Sequence, residues 1–366
     1  MKKTLVALAV TAFAASASAV TVYDAEGSKV DIDGSIRMVV ERANSETKNS
    51  LGTITEKKRT HTGIRNAGTR IGVTARHQLA EDFYALGRVE VRFDKVDKFD
   101  KDGNDLPSED GFGSAYAKRA YVGLGSKQYG QVTFGRQVTI ADDLSQSVDY
   151  EYGINPKGDY IVDAASQVVR YDYNGIENLQ LSAHYAFAQK RDANGEVLVD
   201  ELQNAFGVGA LYTVDNWDLR AAYGHSSFKT QNGDDKNRKD GVLASVGYTA
   251  GDLTLSVDGG YRHEKKLGEK GNAFYVSPGF AYQVVPASKV YGNYLYERAS
   301  IKDVNKEKTH GFLLGVDYKF HKQVVAFVEG KYIRTKGFDK NATGEGYTYN
   351  GRTTDKAIGV GMRVYW

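Results

Sequence analysis

Six carboxylates stand close together in residues 138–165, a stretch that we call the carboxylate segment and that contains one base, Lys157. The six are Asp142, Asp143, Asp149, Glu151, Asp159 and Asp163. The segment lacks the alternation of apolar and polar residues around it, and a structureless stretch this long within a regular β pattern is usually functional. The chemistry that it offers is a concentration of fixed negative charge. The alternative is a surface loop that only solvates its own acids.

Bases that could face these acids lie on short alternating stretches. Arg37 falls between Ile36 and Met38, and Arg70 and Arg170 occupy the same phase of their own stretches. Period-two alternation puts successive side chains on opposite faces of a β-strand. One face of each predicted strand is therefore apolar, and the three arginines share the other, charged face. Further alternating stretches are 71–76, 88–93, 179–187, 206–214, 253–258 and 312–320.

The connections between these stretches alternate in length. Seven are tight, near residues 80–82, 126–128, 175–177, 215–216, 251–252, 286–288 and 321–323. The others are long and charged, for example 97–111, 231–240 and 336–352. Short turns at one end and long loops at the other are typical of an outer-membrane barrel, and the hairpins amount to about sixteen strands. The sequence therefore predicts an all-β, transmembrane antiparallel barrel.

A barrel in hydrocarbon must close, because an open sheet edge there leaves backbone groups without hydrogen bonds. In the terminal stretch KAIGVGMRVYW, every second residue is apolar, and the last residue, Trp366, belongs to this apolar set. The stretch is the predicted closing strand. The short segment Thr21–Tyr23 is expected to pair with it. Trp366 is thus a candidate for barrel closure.

The first nineteen residues have the pattern of an export signal. Lys2 and Lys3 precede an apolar run at 4–15, and Ala17-Ser18-Ala19 is a small-residue cleavage site. Cleavage there removes two of the 48 Lys and Arg residues and none of the 46 acids, so the mature chain is formally neutral. Neutrality excludes an electrostatic nucleic-acid binder.

Composition narrows the class further. The chain has no cysteine, 40 Gly, 25 Tyr and 15 Phe, and no later run of about eighteen apolar residues that would make a transmembrane helix. A soluble β-sandwich also alternates, but it does not require aromatic residues at strand ends or arginines along the opposite face. A wide barrel accounts for both, with aromatic girdles outside and an aqueous lumen inside.

Three features together resemble the general porins of Gram-negative outer membranes, most closely the major porins of the Haemophilus and Pasteurella group. They are the opening VTVYDAEGSKVDIDGSIR, the stretch RAYVGLGSKQYGQVTFGRQ that leads into the carboxylate segment, and the aromatic terminal strand. The resemblance covers essentially all of the mature chain, through the order and spacing of these features. It departs at the last residue, where the family usually has Phe and this chain has Trp366.

The resemblance implies an exported outer-membrane protein in which residues 20–366 form one barrel domain. It implies a homotrimer of sixteen-stranded barrels, each with the third external loop, here the carboxylate segment, folded inward. The expected function is a water-filled channel for passive diffusion of ions and small hydrophilic solutes. The expected neighbours are outer-membrane lipid and lipopolysaccharide, without a cofactor and without nucleic acid.

In the family that the chain resembles, acids on the inward loop face bases on the opposite wall. Matching segments assigns the bases to Arg37, Arg70, Lys118 and Arg170, of which Lys118 depends on the resemblance more than on the alternation. The acids would be Asp149, from its distance past FGRQ, with Asp143 and Glu151. Opposed charges across a narrow wet gap create a transverse field, and rings of charge set ion preference.

Alternatives remain open at this point. Ser182 and His184 share the polar face and could serve a hydrolase, but no third group that orients them is evident. A substrate-specific channel would line its path with aromatics, and only Tyr275, Tyr291 and Phe327 fall on the lumen face. A surface adhesin or receptor barrel is a further candidate. No metal-binding or nucleotide-binding motif is present.

Overall fold

The computed structural model describes residues 19–59, 62–93, 98–99, 105–106, 115–191, 197–229, 236–266, 268–341 and 345–366. Of the predicted signal peptide, only residue 19 lies within these ranges. Twenty strand segments of the described chain form one antiparallel sheet. Three of them follow one another along a single strand, two along another, and one is a short N-terminal segment, so the closed barrel has sixteen strands.

We number the barrel strands in chain order. They are β1 Ser28–Asn49, β2 in three parts (Ile54–Arg59, Gly63–Asn66 and Thr69–Gln78), β3 Phe83–Phe93, β4 Ala115–Ser126, β5 Gly130–Val138, β6 Ala164–Ile176, β7 in two parts (Leu179–Ala186 and Gln189–Arg191), β8 Val197–Val214, β9 Trp217–Lys229, β10 Lys236–Ala250, β11 Leu253–Lys266, β12 Glu269–Val285, β13 Ser288–Ile301, β14 Asn305–His321, β15 Val324–Lys340 and β16 Tyr347–Tyr365. No helix of the described chain is long and apolar enough to cross a membrane.

Closure joins β16 to β1. Tyr365 lies opposite Ser35, and the pairing runs to Gly351 opposite Asn49. Beyond the end of β16, the backbone N–H groups of Gly34 and Trp366 each donate to the other's carbonyl oxygen, at 3.1 and 3.2 Å. Trp366 therefore lies at the seam between the first and last strands.

The pairing predicted for Thr21–Tyr23 is wrong. The N-terminal segment Val20–Ala25 pairs with residues 28–32 of β1, the part of β1 that extends past the end of β16. The segment thus continues the line of β16 along the same edge of β1, because β1 is longer than its closing partner.

The seven predicted tight turns are confirmed, as connections of two to four residues between strands. Asn178 and Asp215 adopt positive φ in two of them, the conformation that two-residue hairpins of primed types require. At the other barrel end, two predicted loops are partly strand: β10 begins at Lys236, and β15 and β16 leave only residues 341–346 between them. Most of the predicted loop 97–111 lies outside the described residues.

The two faces of the sheet differ as the alternation predicts. Large apolar side chains on the outward face are exposed, for example Val122 at 64% and Leu314 at 61%. The apolar core lies inside the barrel, where the carboxylate segment packs on the inner wall. Its main contributors from the segment are Ile140, Leu144, Tyr152, Ile154, Tyr160 and Ile161, and from the wall Leu243, Tyr275, Tyr291, Leu295 and Leu313.

Candidate constriction site

The carboxylate segment leaves and re-enters the barrel wall at almost one point. Thr139 follows β5, and its N–H donates to the carbonyl of Asp163, 2.7 Å away. The Thr139 hydroxyl donates to the carbonyl of Val162 at 2.7 Å and accepts from the N–H of Ala141. These bonds close the base of the segment, so everything between them is an excursion from the wall that must find partners elsewhere.

One partner is Asp258 on the inner face of β11. It is 1% exposed and accepts hydrogen bonds from the Ser145 hydroxyl at 2.7 Å, the Ser147 hydroxyl at 2.8 Å and the Asn155 amide at 2.7 Å. The backbone N–H of Gln146 donates to it at 3.0 Å. A buried carboxylate is costly unless its oxygens are hydrogen-bonded, and the segment supplies those donors.

The second partner is Glu329 on β15, which is fully buried. It accepts the backbone N–H groups of Tyr150, Glu151 and Tyr152, at 2.7, 2.8 and 2.5 Å. Tyr291 donates its hydroxyl to the same carboxylate at 2.8 Å. Three consecutive backbone N–H groups donate to this one carboxylate. They fix the path of the segment in its middle part, away from its base at β5.

Aromatic side chains on the inner wall complete the contact. The ring of Tyr150 stacks on Phe327 with centroids 4.8 Å apart, and the ring of Tyr160 meets Tyr275 edge-on at the same distance. Tyr291 lies 5.8 Å from Tyr150. The three wall aromatics are at most 4% exposed. Their signal in the sequence was an aromatic residue in the polar phase of a strand, which indicated a wall position but not its partner.

The predicted acids have three different environments. Asp143 pairs with Arg170 at 3.0 Å, and Glu151 pairs with Arg65 at 2.5 Å. Asp149 is exposed to the lumen and forms no hydrogen bond or ion pair with another described residue. Although water reaches the Asp149 side chain, the protein around it reduces its solvation, and this effect, followed by repulsion from Glu329, raises the pKa of Asp149 to about 6.

The predicted bases are also divided. Arg170 binds the segment through Asp143, and it donates to the Val138 carbonyl at 3.2 Å. Arg37 and Arg70 pair with none of the segment's acids: Arg70 lies 4.0 Å from Glu90, and Arg37 makes no ion pair within the described chain. The structure thus places the two arginines on the part of the wall that the segment leaves uncovered.

Around Glu90 these arginines belong to a larger basic group. Glu90, which is 2% exposed, accepts from Arg92 at 2.7 Å and from Arg88 and Arg119, each at 3.2 Å. Arg37 experiences electrostatic repulsion from Arg70 and Arg92. Arg88 also donates to Asp33, at 2.6 and 2.9 Å. Two carboxylates therefore serve this group of arginines, which leaves this wall with excess positive charge.

Lys118 reaches the inner side through a bulge. Glu90 lies opposite Arg119, but Val91 lies opposite Ala117, so Lys118 is the extra residue. A bulge re-aims a side chain that alternation would have turned away, which explains the weak alternation of this stretch. The charge of Lys118 acts on Asp142 and Asp163 of the carboxylate segment.

Several wall residues outside the predicted set also hold the segment, among them Arg363 and Arg262. Arg363 of β16 donates to the Tyr150 carbonyl and lies 3.8 Å from Glu151. Arg262 of β11 donates to the Asp159 carbonyl at 3.0 Å. No local pattern distinguishes them from other inward arginines.

The hydrolase alternative finds no support in these contacts. Ser182 donates its hydroxyl to Asp172, and both ring nitrogens of His184 lack a hydrogen-bond partner within the described chain. Serine and histidine are therefore not joined as a nucleophile and its base must be. What the described inner wall offers is a set of fixed charges of both signs.

Comparison with known proteins agrees with this geometry. A family model described as "Gram-negative porin" matches residues 4–337. The chain is 32% identical to a major outer membrane protein of Pasteurella multocida (strain Pm70), over the whole length of both.

Solved structures share the fold at low identity. A trimer form of OmpT, an outer membrane protein of Vibrio cholerae, superimposes with a TM-score of 0.67 at 20% identity, over 93% of this chain and 100% of the other. An anion-selective porin from Comamonas acidovorans gives a TM-score of 0.62 at 16% identity, over 93% and 100%.

Proposed function

The chain belongs to the Gram-negative porin family, and on that premise we propose that the carboxylate segment is the constriction of this outer-membrane channel. Ions and small hydrophilic solutes diffuse passively between the segment and the arginine wall of β1 to β4. The observation that carries the proposal is the attachment of the segment across the lumen to Asp258 and Glu329.

We infer that the constriction favours anions. Arg170 and Arg65 offset Asp143 and Glu151, whereas Arg37 has no carboxylate partner in the described chain. Charged rings set the ion preference of a pore. The anion selectivity named for the Comamonas acidovorans porin is consistent with this inference.

A substrate-specific channel is less well supported. Such a channel needs aromatic surface along the path of the solute, and Tyr275, Tyr291 and Phe327 are covered by the segment. Their role is to hold the constriction. Ser182 and His184 are not joined as nucleophile and base within the described chain, and we propose that the protein has no enzymatic activity.

We further infer a homotrimer in contact with outer-membrane lipid and lipopolysaccharide. Support comes from the fold shared with the Vibrio cholerae protein described in a trimer form. Chemical crosslinking of protein extracted in mild detergent should give a ladder that ends at three chains. A ladder that ends at one or two chains contradicts the trimer.

Planar-bilayer recording of the purified protein tests the proposal. With no solute other than salt, stepwise conductance should appear, and under a KCl gradient the zero-current potential should have the sign of chloride preference. Silence until a particular solute is added supports a gated or specific channel instead. A potential of the opposite sign contradicts the inferred selectivity but leaves the channel intact.

A further inference from the structure

A polar cavity of about 360 Å³ lies on the inner wall at the tight-turn end of the barrel, and we call it the exit cavity. Tyr84 of β3, Gln131 of β5 and Asp172 of β6 line it in the polar phase of their strands. Gln131 lies directly opposite Asp172 in the pairing of β5 with β6. Short turns of an outer-membrane barrel face the periplasm, so a solute that enters from outside reaches this cavity after the constriction.

The exit cavity adjoins the constriction through one side chain. Arg170 binds Asp143 of the carboxylate segment at 3.0 Å and Asp172 of the cavity at 2.9 Å. Asp172 also accepts from the Ser182 hydroxyl, so its charge is already offset. Two residues along a strand span about 7 Å, and the cavity therefore begins where the constriction ends.

Arg76 of β2 is the unusual residue of the exit cavity. Its guanidinium carbon lies over the ring of Tyr84, 5.4 Å from the ring centroid. The ring in turn lies over Gly125 of β4, where an added Cβ would collide with it. A guanidinium group that stacks by its face keeps the N–H groups of its edge available for an oxyanion. Within the described chain, Arg76 forms no ion pair and donates no hydrogen bond.

Carboxylates do not neutralise the cations of the exit cavity. Arg76 acts electrostatically on Asp31, but that acid is bound instead by Lys29 at 3.2 Å and by the Thr21 hydroxyl at 2.6 Å. Lys127 lines the cavity from the turn between β4 and β5, where it is exposed and forms no ion pair with a described residue. The cavity thus contains two cations without a bound acid.

Amide groups around these cations also have unused hydrogen-bonding capacity. Tyr84 donates to Oε1 of Gln131 at 3.3 Å, and Nε2 of Gln131 has no acceptor in the described chain. Gln180 donates its Nε2 to Asp172 at 3.3 Å, which leaves its oxygen as an acceptor. Asn174 is exposed and forms no hydrogen bond with a described residue. Amides offer both donors and acceptors, which suits the hydroxyl groups of a solute.

We propose that the exit cavity binds a small anion that also carries hydroxyl groups, of the class of sugar phosphates, an inference that rests on the proposed channel. Arg76 and Lys127 bind the anionic group, and the amides of Gln131, Asn174 and Gln180 bind the hydroxyl groups. Small-molecule sites measure about 300–1,000 Å³, so this cavity suits a small solute. Neutral solutes have no partner for the cations and diffuse past, and the channel therefore stays general.

The test compares Arg76→Gln/Lys127→Gln with a control of equal charge change, Lys302→Gln/Lys322→Gln, whose lysines are exposed in the turns on either side of β14. Purified proteins in nonionic detergent are titrated calorimetrically with glucose 6-phosphate, with glucose and with inorganic phosphate. The wild type should bind glucose 6-phosphate saturably, once per chain, and more tightly than the other two. Because hydrogen bonds to charged groups are lost, the cavity variant should bind at least about tenfold more weakly. The control should match the wild type.

Two further variants separate the shape of the site from its charge. Tyr84→Leu changes no charge but removes the ring that orients Arg76, so binding should weaken. Arg76→Lys keeps the charge but lacks the planar guanidinium group, so binding should weaken there as well, and this variant decides the matter if the double variant folds poorly. Unchanged binding in any of these variants overturns the proposal. Equal affinity for glucose 6-phosphate and inorganic phosphate excludes a role for the amides and overturns it too, as does equal affinity for glucose.

Failure of this site and failure of the channel are distinguishable, because the titration needs no membrane. Wild-type protein that conducts ions in a planar bilayer but does not bind glucose 6-phosphate overturns the exit cavity alone. Wild-type protein that binds the sugar phosphate but does not conduct supports the cavity and contradicts the channel.

Discussion

The inner wall of the barrel contains two regions with the same alternation and opposite electrostatics. Across the covered region, Asp258, Asp317 and Glu329 are buried, at most 2% exposed, and donors from the carboxylate segment or the wall satisfy them. Across the uncovered region, Arg37 and Arg70 face the lumen beside a single buried acid, Glu90. Both regions are lined by residues in the polar phase of their strands.

The difference shows that the polar phase of a porin strand does not by itself identify a pore-lining charge. An acid on the covered wall acts as an attachment point, because its charge is directed to backbone N–H groups. The arginines of the uncovered wall bind no acid of the segment, and in the proposed channel their charge acts on passing ions. The carboxylate segment creates the distinction by covering one side only.

The largest effect is expected from removing the attachment on the covered side. Glu329→Ala combined with Asp258→Ala deprives five backbone donors and several side-chain donors of their acceptor. Hydrogen bonds to charged groups contribute about 1.5–3 kcal/mol each, so the docked segment should lose roughly 5 kcal/mol or more. Single-channel recording should show larger and noisier conductance. Glu90→Gln, a buried acid of the uncovered wall, should leave the noise unchanged, and a quiet double variant contradicts the attachment.

The next effect concerns the uncovered wall. Arg37→Ser with Arg70→Ser should shift the zero-current potential in a KCl gradient toward cation preference, because two positive charges are lost from the arginine wall. The shift should shrink as salt rises, since the Debye length falls from about 10 Å at 0.1 M to about 3 Å at 1 M. Lys302→Gln/Lys322→Gln controls for total charge. A shift of the same size in that control places the selectivity outside the arginine wall.

Asp149 should contribute a smaller, pH-dependent effect. Its pKa is raised to about 6, so the carboxyl is ionised at pH 7.5 and mostly protonated at pH 5. Loss of that negative charge should increase anion preference as the pH falls through 6. Asp149→Asn should show the low-pH selectivity at both pH values. A pH step that persists in Asp149→Asn assigns the titration to another group.

The smallest effect is expected at the aromatic contact. Phe327→Leu keeps an apolar residue beneath Tyr150 but removes the ring stacking, which contributes about 0.5–1.5 kcal/mol. The open-channel noise should rise slightly, well below that of the double carboxylate variant. Replacing Phe274 by Leu on the outward face, 41% exposed, provides a control that should not change the noise. Equal noise in both variants means that the stacking does not hold the segment.

Strand phase, tight turns and the closing strand could be predicted because each depends on neighbours in the sequence. The alternation around Arg37 and Arg70 was sufficient to assign them to the charged face. The bulge at Lys118 could not be predicted from the sequence. An extra residue is recognised only from the pairing register with the neighbouring strand. The prediction that Thr21–Tyr23 pairs with the last strand failed for a similar reason, since it needed the relative lengths of two strands 300 residues apart.

The sequence by itself determined the barrel. The alternation of apolar and polar residues along each strand indicates which side chains face lipid and which face water. Tertiary structure alone decided the partners of the carboxylate segment. Ser145 meets Asp258 across 113 residues, and Tyr150 meets Glu329 across 179. Such pairs leave no local trace, because a wall acid bound to the segment and one exposed to water occupy identical positions in the alternation. The physical distinction between them is desolvation, and only the folded path of the segment determines which carboxylates lose their water.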